Sequence, residues 1–189
     1  EGRKMAKSTG NVVLISDLIE KHIDPLALRL CFLENRYRSQ MDLSWESLKA
    51  AHSLLQRWRE KIQIWQQDTN IDSPLTQKII EEIVTDFRQD LDTPRALQKL
   101  RNLEKSESIS DGSKHLVFKS VDQLFGLKLL NQIAQKELSL DAQKLLQQRE
   151  VARKSGDFSQ SDQLRNELVK LGIAVKDSKS GQSWDWIIN

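Results

Sequence analysis

Apolar residues recur at steps of three and four along the middle of the chain, the spacing that places side chains on one face of a helix. The longest run follows Ser44, a residue type that caps helix N-termini, and extends to residue 65. Its apolar positions are Leu48, Ala51, Leu55, Trp58, Ile62 and Trp65. The pattern predicts a helix packed along its length on partners, with both tryptophans in the core and not in a site.

Capping residues and prolines predict further helices before and after this one. The predicted starts are Ser16-Asp17, Asp24-Pro25, Asp72-Ser73-Pro74 and Thr93-Pro94. The helix after Pro25 is apolar on nearly every side except at Arg29, so we expect it to be buried. The serine-rich stretch 105–114 predicts a loop before a helix that Gly126 ends.

Towards the C-terminus the helical spacing weakens and then resumes in shorter segments. Residues 131–140 predict a linker, and residues 141–154 a helix. Ser159 and Asp162 form a capping-box pattern for one more helix, which Gly172 ends. Alternating apolar residues around a Ser-Lys-Ser-Gly turn then predict a β-hairpin, with Trp184 and Trp186 in its core. The predicted fold is mainly α, a helical bundle followed by a small α+β module of two helices and a hairpin.

Composition and charge describe a globular chain with no membrane segment. Its 189 residues, 38% apolar and 30% charged, are enough for one large or two small domains. A net charge of +2 neither requires nor excludes a nucleic-acid partner. The single cysteine, Cys31, excludes an internal disulfide and favours a reducing cytoplasm, and no apolar run approaches the length of a membrane span.

Two lysines lie three positions apart at the start of the chain, between glycines. Gly2 and Gly10 permit backbone conformations that other residues resist, while Lys4 and Lys7 could bring ammonium groups to the charge that develops on a polyphosphate. Taken alone, a short basic loop of this kind is more often a solvated turn than a nucleotide site.

The loop and four later segments together resemble a known family. Residues 4–8 resemble the Lys-Met-Ser-Lys-Ser signature of class I aminoacyl-tRNA synthetases, with Ala6 in place of its first serine. Four further segments resemble, in order, stretches of cysteinyl-tRNA synthetases: residues 24–29, 37–44, 86–96 and 149–177. Within the second of these, Gln40 replaces the usual proline. The resemblance implies three regions: a loop and stem-contact region (1–44), a helical bundle (45–136) and an anticodon-binding module (137–189).

The resemblance also implies roles for particular residues. In the loop, Lys7 would bind ATP phosphates, and Lys4, Lys7 and Ser8 would be the catalytic residues that stabilise departing pyrophosphate. In the C-terminal module, the implied anticodon-binding residues are Arg153, Phe158, Asp162, Arg165 and Asp177. Arginine and carboxylate groups can recognise base edges, and an aromatic ring can stack on a base.

Each of these anticodon residues also has a purely structural interpretation. Phe158 could hold the preceding loop against its helix, and Asp162 could only complete the capping box. Arg153 and Arg165 could be ordinary surface residues, and Asp177 could form a turn.

The family resemblance implies tRNA for cysteine as partner, and ATP with Mg²⁺ as substrate. It implies zinc only in an N-terminal catalytic half that this chain lacks. Cys31 has no second cysteine or histidine at ligand spacing, and His22, His52 and His115 are scattered, so we predict no metal here. Because the chain begins at Glu1 and lacks a nucleotide-binding fold, we expect it to bind tRNA without charging it.

Two other functions remain open. One is the related cysteine ligase of the mycothiol pathway, although that enzyme does not need the anticodon module of residues 149–177. The other is a non-catalytic helical tRNA-binding protein, which Ala6 and the missing nucleotide-binding fold favour.

Overall fold

The structure is a computed structural model that describes residues 12–131, 138–178 and 181–187, and these form eight helices and one two-stranded sheet. The chain divides into two compact units, residues 1–133 (unit 1) and 134–189 (unit 2). The prediction of a mainly α fold with a small C-terminal α+β module is confirmed. The further division of unit 1 at residue 44 stays a prediction.

Unit 1 contains six helices in its described part. They are α1 (Ile15–Glu20), α2 (Pro25–Leu33), α3 (Trp45–Trp65), α4 (Ser73–Arg88), α5 (Thr93–Lys105) and α6 (Asp111–Phe125). Asp24, Ser44 and Asp72 cap α2, α3 and α4 as predicted, each accepting a hydrogen bond from a first-turn backbone N–H. These starts were predictable because capping residue and first turn are adjacent in sequence.

Several predicted helix starts differ from the structure. α1 begins at Ile15, before Ser16, and the Asp17 carboxylate accepts a hydrogen bond from the Leu14 N–H at 2.8 Å. α6 begins at Asp111 behind Ser110, so the predicted loop over 105–114 is shorter. In unit 2 the cap of the second helix is Asp157 and not Ser159.

The core of unit 1 is built around α3. Its six predicted inward positions are all buried, Trp58 completely. The Phe118 ring from α6 lies 5.4 Å from the ring centres of both Trp58 and Trp65. The prediction that these two tryptophans belong to the core is confirmed.

The end of α6 explains the lone arginine of the apolar helix α2. Gly126 ends α6 with φ of 63°, a left-handed conformation that favours glycine. The Arg29 Nε donates a hydrogen bond to the Phe125 carbonyl at 2.6 Å, which satisfies a C-terminal carbonyl of α6. A Cβ at Gly126 would lie 2.9 Å from Nη2 of Arg29. The glycine therefore provides the turn and the space for this contact.

Unit 2 consists of two helices followed by an antiparallel hairpin: α7 (Leu140–Lys154), α8 (Phe158–Lys170), β1 (Ile173–Ser178) and β2 (Gly181–Trp186). Its core is formed by Ala142, Leu146, Leu168, Ile173 and Val175. Trp184 and Trp186 pack against this core with their rings edge to face, 5.8 Å apart. Their predicted place in the hairpin core is confirmed.

Candidate nucleic-acid interface

A short turn joins α7 to α8. Arg153 lies in the last turn of α7, and Phe158 lies at the start of α8. Gly156 adopts φ of 79° in this turn, and the Asp157 carboxylate then caps α8 by accepting from the Gln160 N–H at 2.9 Å. Phe158 is thus the first helical residue, and 65% of it is exposed. That exposure shows that Phe158 does not belong to the core.

One face of α8 carries three of the predicted residues. Phe158, Asp162 and Arg165 follow at steps of four and three, so they share one side of the helix. All three are exposed. The buried positions of α8 are Ser161, Leu164 and Leu168. Because Asp157 caps the helix, Asp162 has no role in a capping box.

Asp177 on β1 is held by two arginines from α7. Arg149 grips both of its oxygens, Nη1 donating to Oδ1 at 3.0 Å and Nη2 to Oδ2 at 2.9 Å. Arg153 donates from Nη1 to the same Oδ2 at 3.0 Å. The Arg149 Nη1 also donates to Oε1 of Gln182 at 2.9 Å, and the Gln182 amide nitrogen donates to the Leu146 carbonyl at 2.7 Å. Asp177 is therefore a member of an ordered network and not an isolated turn residue.

The charges around Asp177 keep it ionised. Hydrogen bonding from Arg149 holds the pKa of Asp177 below its usual value, against the opposing effect of partial burial. The positive charges of Arg153 and Arg165 lower this pKa further.

The structure thus joins Arg153 to Asp177 by a hydrogen bond and places Phe158, Asp162 and Arg165 on one exposed face of α8 in the same unit. Such a surface offers guanidinium donors, carboxylate acceptors and an exposed ring, which are the groups that recognise unstacked bases and phosphates.

Arg149 and Gln182 are members of the network that sequence reasoning did not assign to the site. One signal for Arg149 was available, because the buried residues of α7 are Ala142, Leu146, Arg149 and Ala152. An arginine at a position where the helical period calls for an apolar residue points to a buried, paired charge. No comparable signal marks Gln182, whose partners come from α7.

In unit 1, two of the segments that carry the family resemblance contact each other. The Tyr37 hydroxyl donates to Oδ1 of Asp90 at 2.8 Å, and Arg36 pairs with Asp92 at 2.7 Å. The Arg38 guanidinium lies 5.1 Å from the centre of the Tyr37 ring. These side chains connect the segment after α2 to the turn between α4 and α5.

The predicted ATP-binding loop lies outside the described residues, so Lys4, Lys7 and Ser8 remain a prediction. Within residues 12–131, 138–178 and 181–187, no three His, Cys, Asp or Glu side chains are grouped as metal ligands. Burial raises the pKa of the Cys31 thiol to about 11, and its Sγ lies 3.5 Å from the Ser47 carbonyl oxygen. A thiol in this state is a poor zinc ligand, because zinc binds the thiolate. None of the helices described is both long and apolar enough to cross a membrane.

Comparison with known proteins gives two family matches. Residues 135–184 match the cysteinyl-tRNA ligase anticodon binding domain, and residues 1–53 match the class I (C) catalytic domain of tRNA synthetases. The first match contains every residue of the Asp177 network and of the α8 face.

Individual relatives match nearly the whole chain. The cysteine-tRNA ligase of Thermus thermophilus is 34% identical over 97% of this chain and 42% of the relative. That of Granulibacter bethesdensis is 32% identical over 97% of this chain and 39% of the relative. That of Staphylococcus aureus is 31% identical over 96% of this chain and 43% of the relative. The chain therefore spans about two fifths of the length of these relatives.

Proposed function

Because this chain belongs to the cysteinyl-tRNA ligase family, we propose that unit 2 binds the anticodon of the tRNA for cysteine. The protein of which it is part would activate cysteine with ATP and transfer it to that tRNA. The observation that carries the proposal is the hydrogen-bonded pair of Arg153 and Asp177, together with the exposed α8 face of Phe158, Asp162 and Arg165. Both lie within the residues that match an anticodon-binding domain.

Each of these side chains has a chemically distinct task in this proposal. Arg153 donates from one guanidinium nitrogen to Asp177, and its other donors, which have no hydrogen bond to the described residues, would contact a base edge or a phosphate. Asp162 supplies an acceptor for amino groups, and Arg165 a positive charge for the backbone. The Phe158 ring offers a face on which an unstacked base can lie.

The ATP-dependent step belongs to the N-terminal loop in this proposal. Lys4, Lys7 and Ser8 would bind the phosphates of ATP, whose Mg²⁺ helps to neutralise their charge, and Ala6 would leave the loop without one hydroxyl of the family signature. We place a zinc ion, where the enzyme has one, in a part of the enzyme outside this chain. A cytoplasmic setting belongs to the same proposal, because the buried unpaired thiol of Cys31 suits a reducing compartment.

The alternatives receive less support. An anticodon-binding match over residues 135–184 has no use in the mycothiol-pathway ligase. A non-catalytic tRNA-binding protein would share the unit 2 surface but have no need of the lysine loop, which lies within the match to a catalytic domain.

The proposal is tested by replacing Arg153 with alanine in the 189-residue chain. We expect Arg153→Ala to weaken binding of an RNA stem-loop with the cysteine anticodon about fivefold to a hundredfold, because a base-edge contact contributes about 1–3 kcal/mol. The measurement is a fluorescence-anisotropy titration at fixed salt. Lys144→Ala, which removes a positive charge from an exposed position of the same helix, is the matched control and should change affinity less than twofold. Equal affinity of Arg153→Ala and the unmodified chain would contradict the assignment.

A further inference from the structure

Among the charged residues of unit 2 whose burial the structure describes, Arg149 alone is buried and out of reach of any ligand. Only 1% of its side chain is exposed, against 40% for Arg153 one helical turn later. Its fork meets both oxygens of Asp177, a two-point contact that fixes the plane of the carboxylate and its distance. The Gln182 Oε1 accepts a hydrogen bond from the Arg149 guanidinium, and the Gln182 amide nitrogen donates to the Leu146 carbonyl.

The hydrogen bonds to Asp177 leave part of its carboxylate without a partner among the described residues. A carboxylate has about four lone-pair positions. Arg149 occupies one on each Asp177 oxygen, and Arg153 occupies a second on Oδ2. Among the described residues, one acceptor position on Oδ1 stays unoccupied, and Arg153 has further donors with no hydrogen bond to any of them. A donor beside an acceptor is the pattern that complements the edge of a nucleobase.

Stability alone does not account for a buried arginine at this position. Replacing a buried ion pair with apolar side chains is often neutral or stabilising, because of the cost of taking both charges out of water. The Nε of Arg149 is moreover buried with no hydrogen-bond partner among the residues that the structure describes. Asp177, by contrast, is partly exposed and could be hydrated without Arg149. What the buried guanidinium adds is a fixed orientation.

We propose that Arg149, held by Gln182, is a positioning residue that fixes Asp177, and through it Arg153, in the orientation that distinguishes one base of the anticodon. The proposal rests on the proposed function of unit 2. It predicts that loss of Arg149 reduces discrimination between bases, whereas contacts to the RNA backbone, which do not depend on Asp177, persist.

The test uses the 189-residue chain and four RNA stem-loops, one with the cysteine anticodon and three with a single anticodon base replaced. The variants are Arg149→Gln, Arg149→Lys, which keeps the charge but loses the fork, and the surface control Lys144→Gln. We expect the unmodified chain and Lys144→Gln to prefer the cysteine anticodon at least tenfold over one or more replacements. Arg149→Gln should reduce this preference to within about threefold at one position and leave it unchanged at the others, with Arg149→Lys intermediate. Thermal unfolding establishes that each variant is folded. If Arg149→Gln does not fold, the base preferences of Arg149→Lys test the proposal instead.

Two outcomes would overturn the positioning role. One is that folded Arg149→Gln keeps the preference of the unmodified chain for the cysteine anticodon over every replacement. If Arg149→Gln does not fold, the same result in Arg149→Lys counts. The other is weaker binding of all four RNAs by one common factor, which would make Arg149 purely structural. Failure of the proposed function is distinguishable, because it would appear as equal binding of all four RNAs by the unmodified chain. In that case the positioning role falls with it.

Discussion

Phe158 presents most of an aromatic ring to water at the first position of α8. Burying such a side chain is worth about 1.5–3 kcal/mol, and the isolated unit does not gain this free energy. A nucleobase stacked on the ring would gain part of it. The exposure of Phe158 therefore fits a binding contact better than a contribution to the fold.

At this scale we predict that Phe158→Ala weakens binding of the cysteine anticodon stem-loop about fivefold to a hundredfold, since stacking contributes about 1–3 kcal/mol per base. Phe158→Tyr should keep most of the affinity, because the aromatic face remains. Isothermal titration calorimetry measures the binding, and thermal unfolding of both variants should match that of the unmodified chain. Val151→Ala, which also truncates an exposed apolar residue of unit 2, is the control. An affinity of Phe158→Ala equal to that of this control would show that the ring contacts no base.

Helices α3 and α5 are joined by a buried carboxylate. Glu104 on α5 accepts hydrogen bonds from Nε of Arg57 at 2.7 Å and from the Trp58 ring nitrogen at 2.8 Å, and its ion pair with Lys61 is 3.1 Å long. Burial acts to raise the pKa of Glu104, but the hydrogen bonds from Arg57, Trp58 and Lys61 outweigh it, so the pKa lies below its usual value. Ionised Glu104 therefore stabilises the contact between these helices.

The sign of the pH dependence follows from this lowered pKa. The stabilisation is complete above the pKa that Glu104 has in the unfolded chain and is lost as the pH falls through its lower value in the folded protein. We predict that Glu104→Gln lowers the free energy of unfolding of unit 1 by about 1–3 kcal/mol at pH 7, because charge-assisted hydrogen bonds are lost. Urea unfolding monitored by tryptophan fluorescence between pH 7 and pH 3 would measure the difference, which should shrink towards the acid end. A difference that stays constant with pH would contradict the role assigned to the ionised carboxylate.

The elements that were predictable from sequence are those whose determinants are local. Asp24 and Asp72 stand directly before a Pro-containing first turn, so each start needs no information from elsewhere in the chain. Ser159 failed as a cap because Asp157 two residues earlier competes for the same role, and the left-handed Gly156 selects it. The helical period of α7 marks Arg149 as a buried charge, but its partner lay beyond local reasoning, since that carboxylate is 28 positions away.

At the scale of the whole molecule, the residues assigned to ATP and those assigned to the anticodon lie at opposite ends of the sequence. The first group falls in the match to a catalytic domain and the second in the match to an anticodon-binding domain. Exposure and pairing of the anticodon residues required the structure, because the hydrogen-bonded Arg153 and Asp177 come from two different elements. If the assignments are right, the two activities should be separable by mutation.

We therefore predict that Lys7→Ala, made in the complete enzyme, slows ATP–pyrophosphate exchange about a hundredfold or more, because a donor to developing phosphate charge is lost. Binding of tRNA should change less than twofold. Arg153→Ala should have the opposite effect, with exchange intact and tRNA binding weakened. Arg3→Ala, which removes a positive charge next to the motif, is the control for Lys7. An unchanged exchange rate in Lys7→Ala would exclude the loop from catalysis.

The reactivity of the Cys31 thiol can be used to measure local unfolding of α2. Cys31 is the single cysteine of the sequence and is buried in α2, and its thiol pKa of about 11 leaves roughly one molecule in ten thousand as thiolate at neutral pH. An alkylating reagent would thus find almost no nucleophile in the folded state and an ordinary one whenever α2 leaves the core. The rate of alkylation would therefore measure how often α2 unfolds from unit 1. Unit 2 contains no cysteine and would not contribute to this rate.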